Sequence, residues 1–220
     1  MLLRSELREW GVSIGPAAEH PGQIVILNGA PRAGKTSIAH AIQAALPGVW
    51  LNLGLEKFKS ATSERYQPGI GLRPGGERPD LEPLIEQLYL AMYESIAAHS
   101  RRGINVVADT THHDHYSRPL NLLPRCSRVL GDLPVLLVGV RCPLDVVMQR
   151  REATWGHAYE ADGSVPEPIQ RWQHDAHRPG VYDLEIDTSQ VSPEQAAITI
   201  GLRLAEKPRG DAIKRLRFQA

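Results

Sequence analysis

The chain is short of cysteine, of net charge and of long apolar runs, and each shortage excludes something. Only two of its 220 residues are cysteine, Cys126 and Cys142. They stand apart and form no C-x-x-C pair, so they read as small apolar fillers in a reducing compartment and not as a disulfide framework. Lysine plus arginine equals aspartate plus glutamate, at 25 each. No bulk positive field advertises a polyanion, and no nucleic-acid partner is expected. No apolar stretch is long enough to span a bilayer, and none near the N-terminus resembles a signal-peptide core. The expectation is a soluble, cytoplasmic protein without a membrane partner. No internal repeat is visible, and the length suits one α/β domain, while the oligomeric state is left open.

Against that plain background one stretch stands out: Gly29-Ala30-Pro31-Arg32-Ala33-Gly34-Lys35-Thr36. It fits G-x-x-x-x-G-K-[ST] at every defined position. The apolar run Gln23–Asn28 precedes it, as a buried parallel strand would, and Ser37–Leu46 follows with apolar residues at helical spacing until Pro47-Gly48. Strand, glycine loop and helix therefore come in the order that a phosphate-binding loop requires. The loop and the following helix N-terminus, residues 29–37, would bring backbone N–H groups together on the phosphates, with glycine where a side chain would obstruct. Lys35 would sit near the transferred phosphoryl group, and the Thr36 hydroxyl would ligate Mg²⁺. The motif thus predicts nucleoside triphosphate binding.

The remaining runs arrange themselves around this loop. Val49–Gly54 reads as a second strand delivering Glu56 at its carboxyl end, where ligand crevices of open α/β sheets lie. Residues 60–83, rich in glycine, proline and arginine, read as a long substrate-covering loop with a hairpin about Pro74-Gly75-Gly76. Leu81–His99 is a helix with Leu84, Leu88, Met92 and Ile96 on its core stripe. Ile104–Asp109 is a third strand, and its terminal Asp109 is placed either to organise a metal or to cap the next turn. The histidines of Thr110-Thr111-His112-His113-Asp114-His115-Tyr116 are too closely spaced to share one zinc ion; substrate contact or plain surface is the expectation. Leu133–Val140 is a central strand. The helix after Pro143 carries Arg150 and Arg151 toward a lid over residues 154–168, where either could clamp a phosphoryl group. Pro168–His177 is a short helix, Val181–Thr188 the fifth strand, and Ser192-Pro193 caps the last helix. Residues 1–22 read as an N-terminal arm, 23–206 as the phosphate-loop domain, and 207–220 as a basic surface tail.

Several stretches together resemble the chloramphenicol phosphotransferase family, within the nucleoside-monophosphate-kinase-like group of phosphate-loop folds. They are Ile26–Gly29 leading into the loop, Trp50–Glu56, Val138–Leu144 and His177–Ser189. The resemblance implies a P-loop NTPase fold: a parallel five-stranded sheet with helices on both faces and a lid. It also implies ATP- and Mg²⁺-dependent phosphorylation of a hydroxyl on a small molecule, an antibiotic among the candidates. Lys35 and the loop amides would hold the phosphates, Thr36 and Asp109 the Mg²⁺. Glu56 stands where the family places an aspartate as general base, and Arg150 or Arg151 would clamp from the lid. The lid itself departs from the family's Arg-Gly-Asp-Arg, reading Trp155-Gly156-His157-Ala158. Two other readings remain open: a nucleoside or polynucleotide-end kinase, and a nucleotide-binding regulator without transfer activity.

Overall fold

Five short strands, β1 (Ile24–Asn28), β2 (Trp50–Asn52), β3 (Asn105–Thr110), β4 (Val135–Arg141) and β5 (Leu184–Asp187), form one parallel sheet in the order β2-β3-β1-β4-β5, seen in a computed structural model that describes residues 20–67, 74–156, 158–206 and 210–218. Residues 1–19 of the expected N-terminal arm lie outside the described residues, as do residues 68–73 of the glycine-rich segment and His157. Central strand β1 (Ile24–Asn28) is buried along its whole length between β3 (Asn105–Thr110) and β4 (Val135–Arg141). Continuous apolar runs are what a parallel sheet covered on both faces demands. β2 (Trp50–Asn52) and β5 (Leu184–Asp187) close the two edges.

The pleat divides the core. Ile24, Ile26, Val106, Ala108, Val135 and Leu137 face one helical layer, while Val25, Leu27, Val107, Leu136, Val138 and Val140 face the other. The first layer contains α3 (Glu82–Arg101), α4 (Leu122–Leu130) and α8 (Ala212–Leu216). The second contains α1 (Lys35–Ala45), α5 (Leu144–Trp155), α6 (Glu167–Asp175) and α7 (Pro193–Ala205). The expected cap of α7 is present: the Ser192 hydroxyl accepts from the Gln195 N–H, and the Gln195 side chain returns to the Ser192 N–H. Both cysteines are buried free thiols.

Three expectations change. The segment 60–83, which follows α2 (Leu55–Ser60), is not all loop, because a single 3₁₀ turn, Glu64–Tyr66, lies in it. No strand forms about Pro74-Gly75-Gly76 among the described residues; instead a turn there donates the Gly75 N–H to the His115 carbonyl. The stretch read as a basic surface tail folds back, placing Ala212, Ile213 and Leu216 in the core. Its docking is directional, since the Asp183 carboxylate accepts from the Ala212 N–H through one oxygen and from the Leu137 N–H through the other. Its basic residues stay on the rim, Arg217 paired with Asp132 and Arg215 with Asp211. No described helix is long and apolar enough to cross a membrane.

Candidate active site

The loop between β1 and α1 leaves the sheet where its strand order reverses, the position at which open α/β sheets bind ligands. Arg32 and Gly34 both have positive φ, 66° and 94°. An alternation of this kind turns successive N–H groups toward a common concavity that suits an anion. Positive φ is strained for arginine, and the strain is held from outside: Arg150 Nη1 donates to the Arg32 carbonyl at 3.2 Å. Gly29 has to be glycine for another reason, because a Cβ there would strike the Val140 carbonyl of the neighbouring strand.

Lys35 is buried and folded onto its own loop, donating to the Gly29 and Ala30 carbonyls at 2.7 and 2.8 Å. Burial lowers its pKa to about 8, against the pull of Asp109 and Glu56, whose negative charges favour the ammonium form. A cation held at such a desolvation cost gains from any phosphate that reaches it. Next to it, Thr36 Oγ1 donates to Asp109 Oδ2 at 2.6 Å. A hydroxyl and a carboxylate side by side at a phosphate-binding loop are the hard oxygen donors that Mg²⁺ takes alongside substrate phosphates and water. Gly54, at the end of β2, makes room for that carboxylate, since a Cβ there would overlap Asp109 Oδ1.

Two clefts open from this loop. The larger, about 830 Å³, runs from Arg32, Gly34, Lys35, Thr36 and Ser37 to a wall formed by Arg150, Thr154, Thr188 and Val191. The smaller, about 270 Å³, lies between α2, α5, α6 and the turn after β3. Its wall is aromatic. His113 stacks on Tyr116 with ring centroids 4.2 Å apart and meets Trp172 edge-on at 5.0 Å, and Tyr89 closes one side. Gln173 Nε2, buried and without a hydrogen-bond partner, belongs to the same wall. Pro31, Leu55, Glu56 and Thr111 line both clefts, so these four residues mark the junction.

Glu56 sits at that junction in the first turn of α2, its side chain 81% exposed and paired with Lys59 at 3.2 Å. The two arginines, adjacent in sequence, part company. Arg150 donates to the Thr188 hydroxyl and carbonyl as well as to Arg32, tying the loop to the segment after β5, whereas Arg151 lines the aromatic cleft. The histidine run also separates. His112 is buried against the Tyr93 hydroxyl, and burial takes its pKa down to about 3, so its ring is neutral. His113 belongs to the small cleft, and His115 pairs with Asp175. No group of three or more His, Cys, Asp or Glu that could hold a metal exists among the described residues. The aromatic wall escaped the sequence reading because its members come from α3, the turn after β3 and α6.

The sheet order, the phosphate loop after β1 and the two joined clefts define a phosphate-loop fold of the small-molecule kinase type. Solved structures agree on the fold: a gluconokinase from Sinorhizobium meliloti 1021 matches with TM-score 0.57 at 18% identity, over 86% of this chain and 95% of its own. The Mycobacterium tuberculosis APS kinase in complex with AMPPNP and APS matches with TM-score 0.56 at 16% identity, over 84% and 98%. In sequence, a Mycobacterium tuberculosis H37Rv protein provisionally named an O-phosphotransferase is 27% identical over 212 residues, covering 89% of this chain and 88% of the relative. The profile of the chloramphenicol phosphotransferase-like proteins matches residues 22–205, and the chain belongs to that family.

Proposed function

We propose that this protein transfers the γ-phosphoryl group of ATP, with Mg²⁺, to a hydroxyl of a small organic molecule, hydroxylated antibiotics being one candidate class. The observation that carries the proposal is the meeting of a nucleotide-sized cleft and a smaller aromatic cleft at Glu56, Pro31, Leu55 and Thr111. A phosphoryl donor and an acceptor held on the two sides would be brought within reach of each other there. Family membership and the kinase fold support the same reaction class.

In this reading ATP lies along the larger cleft, and Lys35 exchanges the Gly29 and Ala30 carbonyls for phosphate oxygens. Thr36 and Asp109 would hold Mg²⁺, which offsets charge on the phosphates. The acceptor occupies the aromatic cleft with its hydroxyl toward Glu56. As the acceptor oxygen bonds to the γ-phosphorus, the bond from that phosphorus to the bridging oxygen of ADP breaks, and the hydroxyl proton passes to the Glu56 carboxylate. Phosphoryl transfer is catalysed mostly by positioning and charge stabilisation, so Glu56 acts as much by orienting the hydroxyl as by basicity. Its pairing with Lys59 is a surface ion pair of small worth, easily exchanged for substrate.

The test is ADP release from Mg·ATP across a panel of nucleosides, sugars and hydroxylated antibiotics, with phosphoester products identified by mass and Lys35→Ala as control. At least one acceptor should accelerate release, and Lys35→Ala should abolish most of it while the protein stays folded. Slow turnover indifferent to every acceptor would favour a regulator instead, and full activity in Lys35→Ala would move the site away from the loop.

A further inference from the structure

Asn28 is the last residue of β1 and the one before Gly29, and it is 1% exposed. Its carboxamide is fully engaged. Nδ2 donates to the Ala176 carbonyl at 2.7 Å and to the Tyr182 hydroxyl at 3.0 Å. Oδ1 accepts from the His112 backbone N–H at 2.7 Å, with the Thr110 hydroxyl at 3.4 Å. The amide can sit only this way round, because a flipped group would face a carbonyl with its oxygen and an N–H with its nitrogen. Each far partner is itself fixed. The His112 ring pairs with the Tyr93 hydroxyl at 2.8 Å, and the Tyr182 hydroxyl pairs with His177 Nδ1 at 2.9 Å. Gly139, beside Asn28 on β4, has no side chain, and a Cβ there would come within 2.6 Å of the Tyr182 ring.

These partners flank the acceptor cleft. His112 lies between Thr111 and His113, and Ala176 directly follows α6, which contributes Ile169, Trp172 and Gln173. On its other side Asn28 adjoins the carbonyl of Gly29, which holds Lys35 Nζ at 2.7 Å. An apolar side chain would fill a buried strand position equally well, whereas a carboxamide joins three segments. We propose that Asn28 is a positioning residue that couples the phosphate loop to two walls of the acceptor cleft. When nucleotide phosphates draw Lys35 away from the Gly29 carbonyl, the Gly29–Ala30 peptide, one residue on from Asn28, changes partner, and Asn28 passes the change to residues 111–113 and 172–177. Donor binding thereby orders the acceptor side. The inference rests on nucleotide binding at the loop, as proposed above.

Amide hydrogen exchange with and without Mg·AMPPNP tests it without an acceptor. In the wild type, nucleotide slows exchange at residues 30–37 and, by about fivefold, at 111–113 and 172–177, the factor one ordinary hydrogen bond makes in an opening equilibrium. In Asn28→Ala the loop response stays and both distant responses disappear. Tyr182→Phe, which leaves the Asn28 carboxamide intact, should weaken only the response near 176–182 and keep that at 111–113. A merely structural role would loosen these segments in both states and leave the nucleotide-induced difference in place. That result, or a wild type with loop protection and no distant response, overturns the coupling. Absence of loop protection in the wild type defeats the nucleotide reading itself, and the coupling with it.

Discussion

The Thr36 hydroxyl donates a 2.6 Å hydrogen bond to Asp109 Oδ2, joining the first turn of α1 to the end of β3, the strand that pairs with β2. This contact sets the two Mg²⁺ candidates side by side, and Gly54 is the residue that leaves them room.

Asp109→Asn should raise the Mg²⁺ concentration needed for half-maximal activity, since it removes a charge and keeps the shape. Gly54→Ala should do the same without touching a ligand, by displacing the Asp109 carboxylate. Both follow from Mg²⁺ titration of phosphotransfer. An unchanged titration in Asp109→Asn would return that residue to a capping role.

Lys35 predicts a pH signature. Burial lowers its folded pKa to about 8 from an ordinary 10.5, so between those values the unfolded chain holds the proton that the folded chain has lost. Stability of the nucleotide-free protein therefore rises with pH across that window, and the full cost is carried below about pH 8. Against Lys35→Met, which cannot titrate, the stability difference should shift by about 3 kcal/mol toward the wild type between pH 8 and 10.5, at about 1.36 kcal/mol per pKa unit. Denaturant titrations at the two ends measure it; a flat difference would mean the ammonium is not desolvated.

Arg150 and Arg151 should separate kinetically. Arg150→Ala releases Arg32 and Thr188 and should weaken ATP binding about tenfold, the worth of lost charge-assisted hydrogen bonds, with acceptor KM little changed. Arg151→Ala should raise acceptor KM and spare ATP affinity. Equal effects of both on ATP would contradict the assignment of the two clefts.

That last pair marks where the sequence stops being informative. Adjacent helical residues point about 100° apart, so neither arginine could be assigned a cleft without knowing which face of α5 meets the loop. The loop itself was legible because its chemistry is local: glycine spacing, one lysine and one hydroxyl within eight residues. That Asp109 and Glu56 lie at the crevice followed from their places at strand ends, which in such sheets point there. α4 escaped although Leu122, Leu123, Cys126 and Leu130 recur at helical spacing, and α8 escaped because its basic residues disguised three core side chains. The aromatic cleft and the Asn28 junction are tertiary, assembled from segments up to 154 residues apart. No local pattern could announce them.

The most direct test of the account is single-turnover phosphotransfer by Glu56→Gln with saturating Mg·ATP and an acceptor from the panel. General-base and orienting contributions run to about 10²–10⁴-fold, so transfer should fall by at least about a hundredfold while ATP affinity is unchanged. Glu56→Asp should recover part of the loss but not all of it, the shorter arm reaching less far into the junction. Near-normal transfer by Glu56→Gln would contradict the account and send the search for the base to Asp109.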